Sequence, residues 1–145
     1  MLAVIDRAFG RILADWERVV PEPGETRLAA LGRVYVVGLT ERRAELMVQL
    51  QAYAGAEDPE VAETLRHHLS RIYRYLVYQL RRDGHDRPEW EAAAFCGRGF
   101  LITASMAIGL ESVLTPEEWA GICTKAGVCT IADAPVESPS PPGAA

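Results

Sequence analysis

The sequence is short of the features that mark membrane, disulfide-stabilised and catalytic proteins. Its longest uncharged run, Gly99 to Leu110, spans 12 residues, whereas an apolar membrane helix needs roughly 20. A buried helix fits that run better. The opening stretch MLAVIDRAFGRILADW mixes Asp6, Arg7, Arg11 and Asp15 among its apolar residues, so it lacks the uninterrupted apolar segment of a signal peptide. Cysteine is scarce: Cys96, Cys123 and Cys129 are odd in number, form no Cys-x-x-Cys pair and have no histidine close in sequence. That argues against a disulfide framework and a zinc pattern, and leaves buried or idle thiols in a reducing cytoplasm as the expectation. Positive charge is in deficit, with 15 Lys and Arg against 20 Asp and Glu. A surface of net charge −5 repels phosphate backbones, which disfavours nucleic-acid binding by this chain alone.

Catalytic signatures are missing too. There is no GxSxG, HExxH, P-loop or dinucleotide fingerprint. Glu63 and His67 stand four apart on one helix, but di-iron bundles use Glu-x-x-His on two helices, and no second copy exists. No enzymatic activity, cofactor or metal is expected. No internal repeat and no hairpin signal breaks the pattern. What is present is a 145-residue chain, 49% hydrophobic and 24% charged, which is the balance of one globular domain with a real core.

Helical periodicity dominates it. Leu2, Ile5, Phe9, Ile12, Leu13, Trp16 and Val20 recur at three- and four-residue steps, and Pro21, Pro23 and Gly24 end this first helix. A second begins near Thr26 with Leu28, Leu31, Tyr35 and Leu39 on one face, although Gly32 and the β-branched run Val34 to Val37 oppose it. Thr40 is placed to cap a third, carrying Leu46, Leu50 and Tyr53 and closed by Gly55. Asp58-Pro59-Glu60 starts the fourth and longest, with Val61, Leu65, Leu69, Ile72, Leu76 and Leu80 on its apolar face and Arg81, Arg82 and Gly84 at its end. Pro88 opens a fifth. Thr115-Pro116-Glu117-Glu118 is a capping box for a short sixth, through Trp119 and Ile122 to Gly127. The domain is therefore expected over residues 1–128. The remainder, 129–145, is rich in Pro, Ser and Ala, too poor in large apolar groups to repay ordering, and is expected to be a disordered tail.

The fifth helix is the informative one. Phe95, Phe100, Leu101, Ile102, Met106, Ile108 and Leu110 occupy every direction around it, so one side should face the core and another a partner. Gly97, Gly99, Ala104, Ser105, Ala107 and Gly109 are small enough to let a second helix approach. With the sixth helix, and doubled by a two-fold axis, this gives a four-helix interface. Phe100, Leu101, Ala104, Ile108, Trp119 and Ile122 are its expected contacts. The alternative is that the other helices wrap the fifth completely.

The stretch ELMVQLQAYAGAEDPEVAETLRHHLSRIYRYL, with an Ala-rich elbow, an Asp-Pro-Glu start and a long Arg-spaced helix, resembles the regulatory domain of TetR/AcrR-type bacterial transcriptional regulators. FCGRGFLITASMAIGL resembles the penultimate helix of that domain, and LAVIDRAFGRILADW the helix that follows the family's DNA-binding head. The resemblance runs over about residues 2 to 127. It implies an all-α bundle of about six helices that binds a small-molecule effector and forms a homodimer through its last two helices. Family members carry a helix-turn-helix head just before the point where Leu2 begins, so this chain is expected to lack it and to reach DNA only through such a head. A start placed downstream, an excised domain and a natural loss all give this pattern. The alternative function is an interaction protein that pairs with a full-length relative.

An effector cavity should be apolar with a few polar groups inside it. Trp16, Tyr35, Leu50, Tyr53, Tyr73, Phe95, Thr103 and Met106 are the candidates on inward faces, with plain core packing as the alternative for each. His67 and His68 lie about 100° apart on their helix and cannot both face inward. His68 is a candidate pocket group or a satisfied boundary histidine. Arg98, inside the apolar fifth helix, requires a partner: an acidic ligand, a carboxylate across a dimer, or Glu91.

Overall fold

Local start and stop chemistry divides the chain into helices. In the computed structural model, which describes residues 2–123, these are α1 (Leu2–Arg18), α2 (Arg27–Glu41), α3 (Arg43–Ala54), α4 (Pro59–Arg82), α5 (Pro88–Ile108) and α6 (Pro116–Cys123), with one 3₁₀ turn at Leu110–Ser112. Among the described residues there is no strand and no helix long and apolar enough to cross a membrane. The expected end of the last helix at Gly127, Cys129 and the expected tail over 129–145 lie outside the described residues.

The start signals are built as atoms. Thr26 Oγ1 accepts the Ala29 N–H at 3.2 Å. The Asp58 carboxylate accepts the N–H groups of Glu60 and Val61 at 2.8 and 3.4 Å, with Pro59 where no N–H is needed. Before α6, Thr115 and Glu118 exchange bonds reciprocally, backbone N–H to side-chain oxygen each way. Gly84 and Gly109 take left-handed φ values of 80° and 70° after α4 and α5, a region that only glycine enters freely.

The α2–α3 corner departs from expectation. Thr40 does not cap α3; it stays within α2, donating its hydroxyl to the Val36 carbonyl at 3.0 Å, and α2 continues to Glu41. The break falls at Arg42, whose guanidinium pairs with Asp15 of α1 at 2.8 Å and with Glu45 at 3.0 Å. A long-range pair thus sets a boundary that the capping pattern alone misplaces. The β-branched run in α2 remains helical because Leu31, Val36 and Leu39 are buried; packing of that size outweighs propensities of a few tenths of a kcal/mol.

Helix α1 lies against α2, α3 and α4, while α4 pairs with α5, and α6 packs on α5. Phe9, Leu31, Leu46, Leu76 and Ile102 are the largest fully buried side chains of the core they share. Helix α5 is not wrapped by the others: Leu101 is 50% exposed and Ile108 78%. Its apolar residues therefore serve two surfaces, one inside and one outside.

Candidate functional site: a ring-lined cavity beneath the fifth helix

Side chains from α1 to α5 leave a cavity of about 70 Å³ bounded by Phe9, Ile12, Trp16, Tyr35, Gln49, Tyr53, Leu69, Ile72, Phe95, Cys96, Gly99, Phe100 and Thr103. Six of these residues are aromatic, including all three phenylalanines of the sequence. The rings meet mostly edge to face, the geometry their quadrupoles favour. Trp16 meets Phe95 with centroids 5.8 Å apart and Tyr35 at 6.5 Å, and Tyr53 meets Phe9 at 6.0 Å and Phe100 at 5.3 Å. Tyr75 stacks behind Trp16 at 6.2 Å and donates its hydroxyl to the Trp16 carbonyl, which fixes that indole from the far side. Gly99 lets the wall come close, since a Cβ there would lie 3.5 Å from the Tyr35 ring.

One polar cluster interrupts the rings. The Tyr35 hydroxyl lies 2.6 Å from Thr103 Oγ1 and 3.1 Å from Gln49 Oε1, and Thr103 Oγ1 is 2.8 Å from the Gly99 carbonyl. Two hydroxyl hydrogens serve these contacts, so they are taken up within the cluster, while the Gln49 amide keeps N–H donors beyond them. Trp16 Nε1 is buried with no hydrogen-bond partner among the described residues; Trp16 as a whole is 4% exposed. Burial pushes the Tyr35 hydroxyl up to about 12 and the Cys96 thiol up to about 11, so both stay protonated and the cavity carries no charge near neutrality.

A second recess shares the walls Ile12, Trp16, Tyr35 and Gln49 and adds Asp15, Arg42 and Glu45. Its charges are satisfied by one another: Arg42 holds both carboxylates, and Arg11 also reaches Glu45.

Of the ten residues expected at a pocket, the fold brings Trp16, Tyr35, Tyr53, Phe95 and Thr103 to this cavity. The other five lie outside its lining. Leu50 packs against the core as a half-buried residue. Tyr73 donates its hydroxyl to the Glu89 carbonyl at 3.2 Å. The Met106 carbonyl accepts from Arg43 at 3.3 Å. His68 is buried with Nε2 2.8 Å from Asp6 Oδ1 and its ring stacked on Phe9, and His67 is exposed. Arg98 has a buried Nη1 with no partner among the described residues. Glu91, one of its expected partners, instead faces His85 Nδ1 at 2.7 Å.

Gln49 and Cys96 are lining residues that the sequence reading passed over. A signal existed for Gln49, which stands three residues after Leu46 and four before Tyr53 and so shares their face. Of the residues expected at an interface, Phe100 sits at the cavity's edge, half exposed, while Leu101 and Ile108 point outward. Ala104 is half-buried, and Trp119 and Ile122 pack against the core from α6.

The outward side of α5 has a regular composition. Trp90, Ala94, Gly97, Leu101, Ala104 and Ile108 follow at steps of four, three, four, three and four residues, the spacing of a helix–helix seam. None of them is charged. A Cβ on Gly97 would meet nothing within 4 Å. Compared with protein-family models, with curated proteins and with solved structures, the chain gives no significant match.

Proposed function

We propose that this chain is the ligand-sensing and dimerisation domain of a TetR/AcrR-type transcriptional regulator. The observation that carries the reading is that one helix serves both surfaces. Positions 95, 96, 99, 100 and 103 of α5 border the cavity, while positions interleaved with them form the uncharged outward seam. A molecule entering the cavity would press on the helix that carries the seam, and this is the coupling a sensor needs. The order of helices, the long α4 and the resemblance of its sequence support the same assignment.

Exposed apolar surface of this extent is normally covered in a soluble assembly. Light scattering on the full chain across a dilution series tests the proposal. A particle of about twice 15.9 kDa that Ile108→Asp splits into monomers supports it. A monomer at every concentration overturns the dimerisation half.

A further inference from the structure

Three hollows follow one another inward from the surface of α1 and α2. The outermost is an open groove of about 370 Å³, which shares Asp15, Val34, Gly38 and Arg42 with the recess described above, itself about 20 Å³. That recess in turn shares Ile12, Trp16, Tyr35 and Gln49 with the aromatic cavity. Each hollow is one side chain away from the next. We infer that this row is the route by which small neutral molecules reach the cavity, and that Arg42 is its gate. The inference rests on reading the cavity as a binding site, and adds how that site is entered.

The Arg42 guanidinium stands at the boundary of groove and recess. Its Nη2 lies 2.8 Å from Asp15 of α1 and its Nε 3.0 Å from Glu45 of α3, so one side chain closes the gap between two helices. Its berth depends on Gly38, where a Cβ would lie 2.5 Å from Nη2, well inside van der Waals distance. Backbone geometry does not ask for glycine there, since the positive φ values fall at Gly24, Gly84 and Gly109, and glycine within a helix costs stability relative to alanine. Room for the guanidinium accounts for it.

The seal is made of charge rather than of packing. The Arg42 side chain is 31% exposed in its pairs, and water competes for ion pairs of that kind, which makes them weak and sensitive to salt. When Arg42 swings out, Glu45 keeps Arg11 as its partner and Asp15 faces the water of the groove. No helix has to move. Behind the gate, Tyr35 and Gln49 meet through one hydrogen bond of 3.1 Å, which a side-chain rotation undoes. At the cavity's other edge Phe100 packs its ring against Tyr53 with centroids 5.3 Å apart, and parting two rings forfeits apolar contact that water does not replace. A charged molecule would meet Arg42 and both carboxylates, then shed its water among uncharged walls, so the route favours neutral ones.

Xenon is a suitable probe, because it is neutral, needs no hydrogen bond and enters apolar cavities. Its exchange is measured by NMR on the full chain, with the Gly99 and Thr103 amide resonances reporting whether it sits in the cavity. Gly38→Ala keeps every charge and places a methyl group where the guanidinium rests; only the tip of a flexible side chain has to give way, so the fold survives. Exchange should become about ten-fold faster, as loss of one weak seal predicts, and Arg42→Ala should do the same. Salt at about 1 M, where the Debye length is about 3 Å, should speed exchange several-fold in the native protein and leave Arg42→Ala unaffected. Exchange indifferent to both substitutions and to salt, or responding to Phe100→Leu instead, overturns the inference while leaving the cavity a binding site. Xenon that perturbs neither Gly99 nor Thr103 in any of these proteins overturns the inference and the ligand-sensing half of the proposed function together, and light scattering decides the dimer separately.

Discussion

Helices α4 and α5 are of similar length, 24 and 21 residues, and they pack against each other, yet they are written by different rules. On α4 the buried residues Val61, Leu65, Ile72, Leu76 and Leu80 form one face, and Glu63, Arg66, Arg71 and Arg74 stand in water on the other. Folding accounts for that composition. Between Glu91 and its end, α5 carries Arg98 as its sole charge, and its outward side is apolar where water would favour polar residues. Folding of one chain does not require this. The excess of apolar residues on α5 is what calls for a function, and the cavity and the seam are the two uses the geometry offers.

The contrast can be broken at four points. The largest effect should come from the core side of α4: Leu76→Ala, at a fully buried position, is expected to lower stability by about 2–5 kcal/mol in urea unfolding. Next, Ile108→Asp on the outward side of α5 should weaken dimerisation by about a hundred-fold or more, because it buries an unpaired carboxylate in a seam. The helical circular dichroism of the resulting monomer should be unchanged. If instead Ile108→Asp unfolds the chain, the two helices do not differ as described.

Gly99→Ala then sharpens the inner side of α5. A methyl group there sits at ordinary contact distance from Tyr35 and relieves the entropic cost of glycine within a helix, so thermal stability should rise by up to about 1 kcal/mol. The same methyl narrows the cavity, and the affinity of any molecule bound there should fall several-fold. Stability and affinity moving together would place the ligand elsewhere.

The smallest effect lies away from both helices, at the α1–α2 turn. Two hydrogen bonds from Arg33, at 2.9 Å each, and one from the Glu22 N–H hold the Glu25 carboxyl down to about 2. A depressed folded-state value stabilises the fold above the ordinary carboxylate range and loses that contribution as pH falls from about 4.5 towards 2. An NMR titration of Glu25 should show its midpoint near the lower value. A midpoint at the usual carboxylate position would mean that Arg33 does not hold the turn in solution, and α4 and α5 should not respond in either case.

Much of the fold was legible beforehand because its signals are local. Asp58-Pro59-Glu60, Thr115-Pro116-Glu117-Glu118 and Gly84 act through bonds within a few residues of themselves, and each marks a boundary in the structure. The corner at Arg42 was not legible, because its cause is Asp15, 27 residues away. The cavity was half legible for a related reason. Periodicity shows that Tyr35, Tyr53 and Phe95 face inward, but which inward rings meet depends on how four helices cross. Tyr73 and Met106 carry the same periodic signature and pack against the core outside the cavity's lining.

Capping and periodicity operate over one or two turns, and they are enough to make the chain helical, to place most helix ends and to leave α5 with apolar residues to spare. No local signal brings Trp16 of α1, Tyr35 of α2, Gln49 of α3 and Thr103 of α5 into one neutral cavity. Their proximity is a property of how helices pack, and side chains far apart in the chain acquire a common chemistry only when packing removes the water between them.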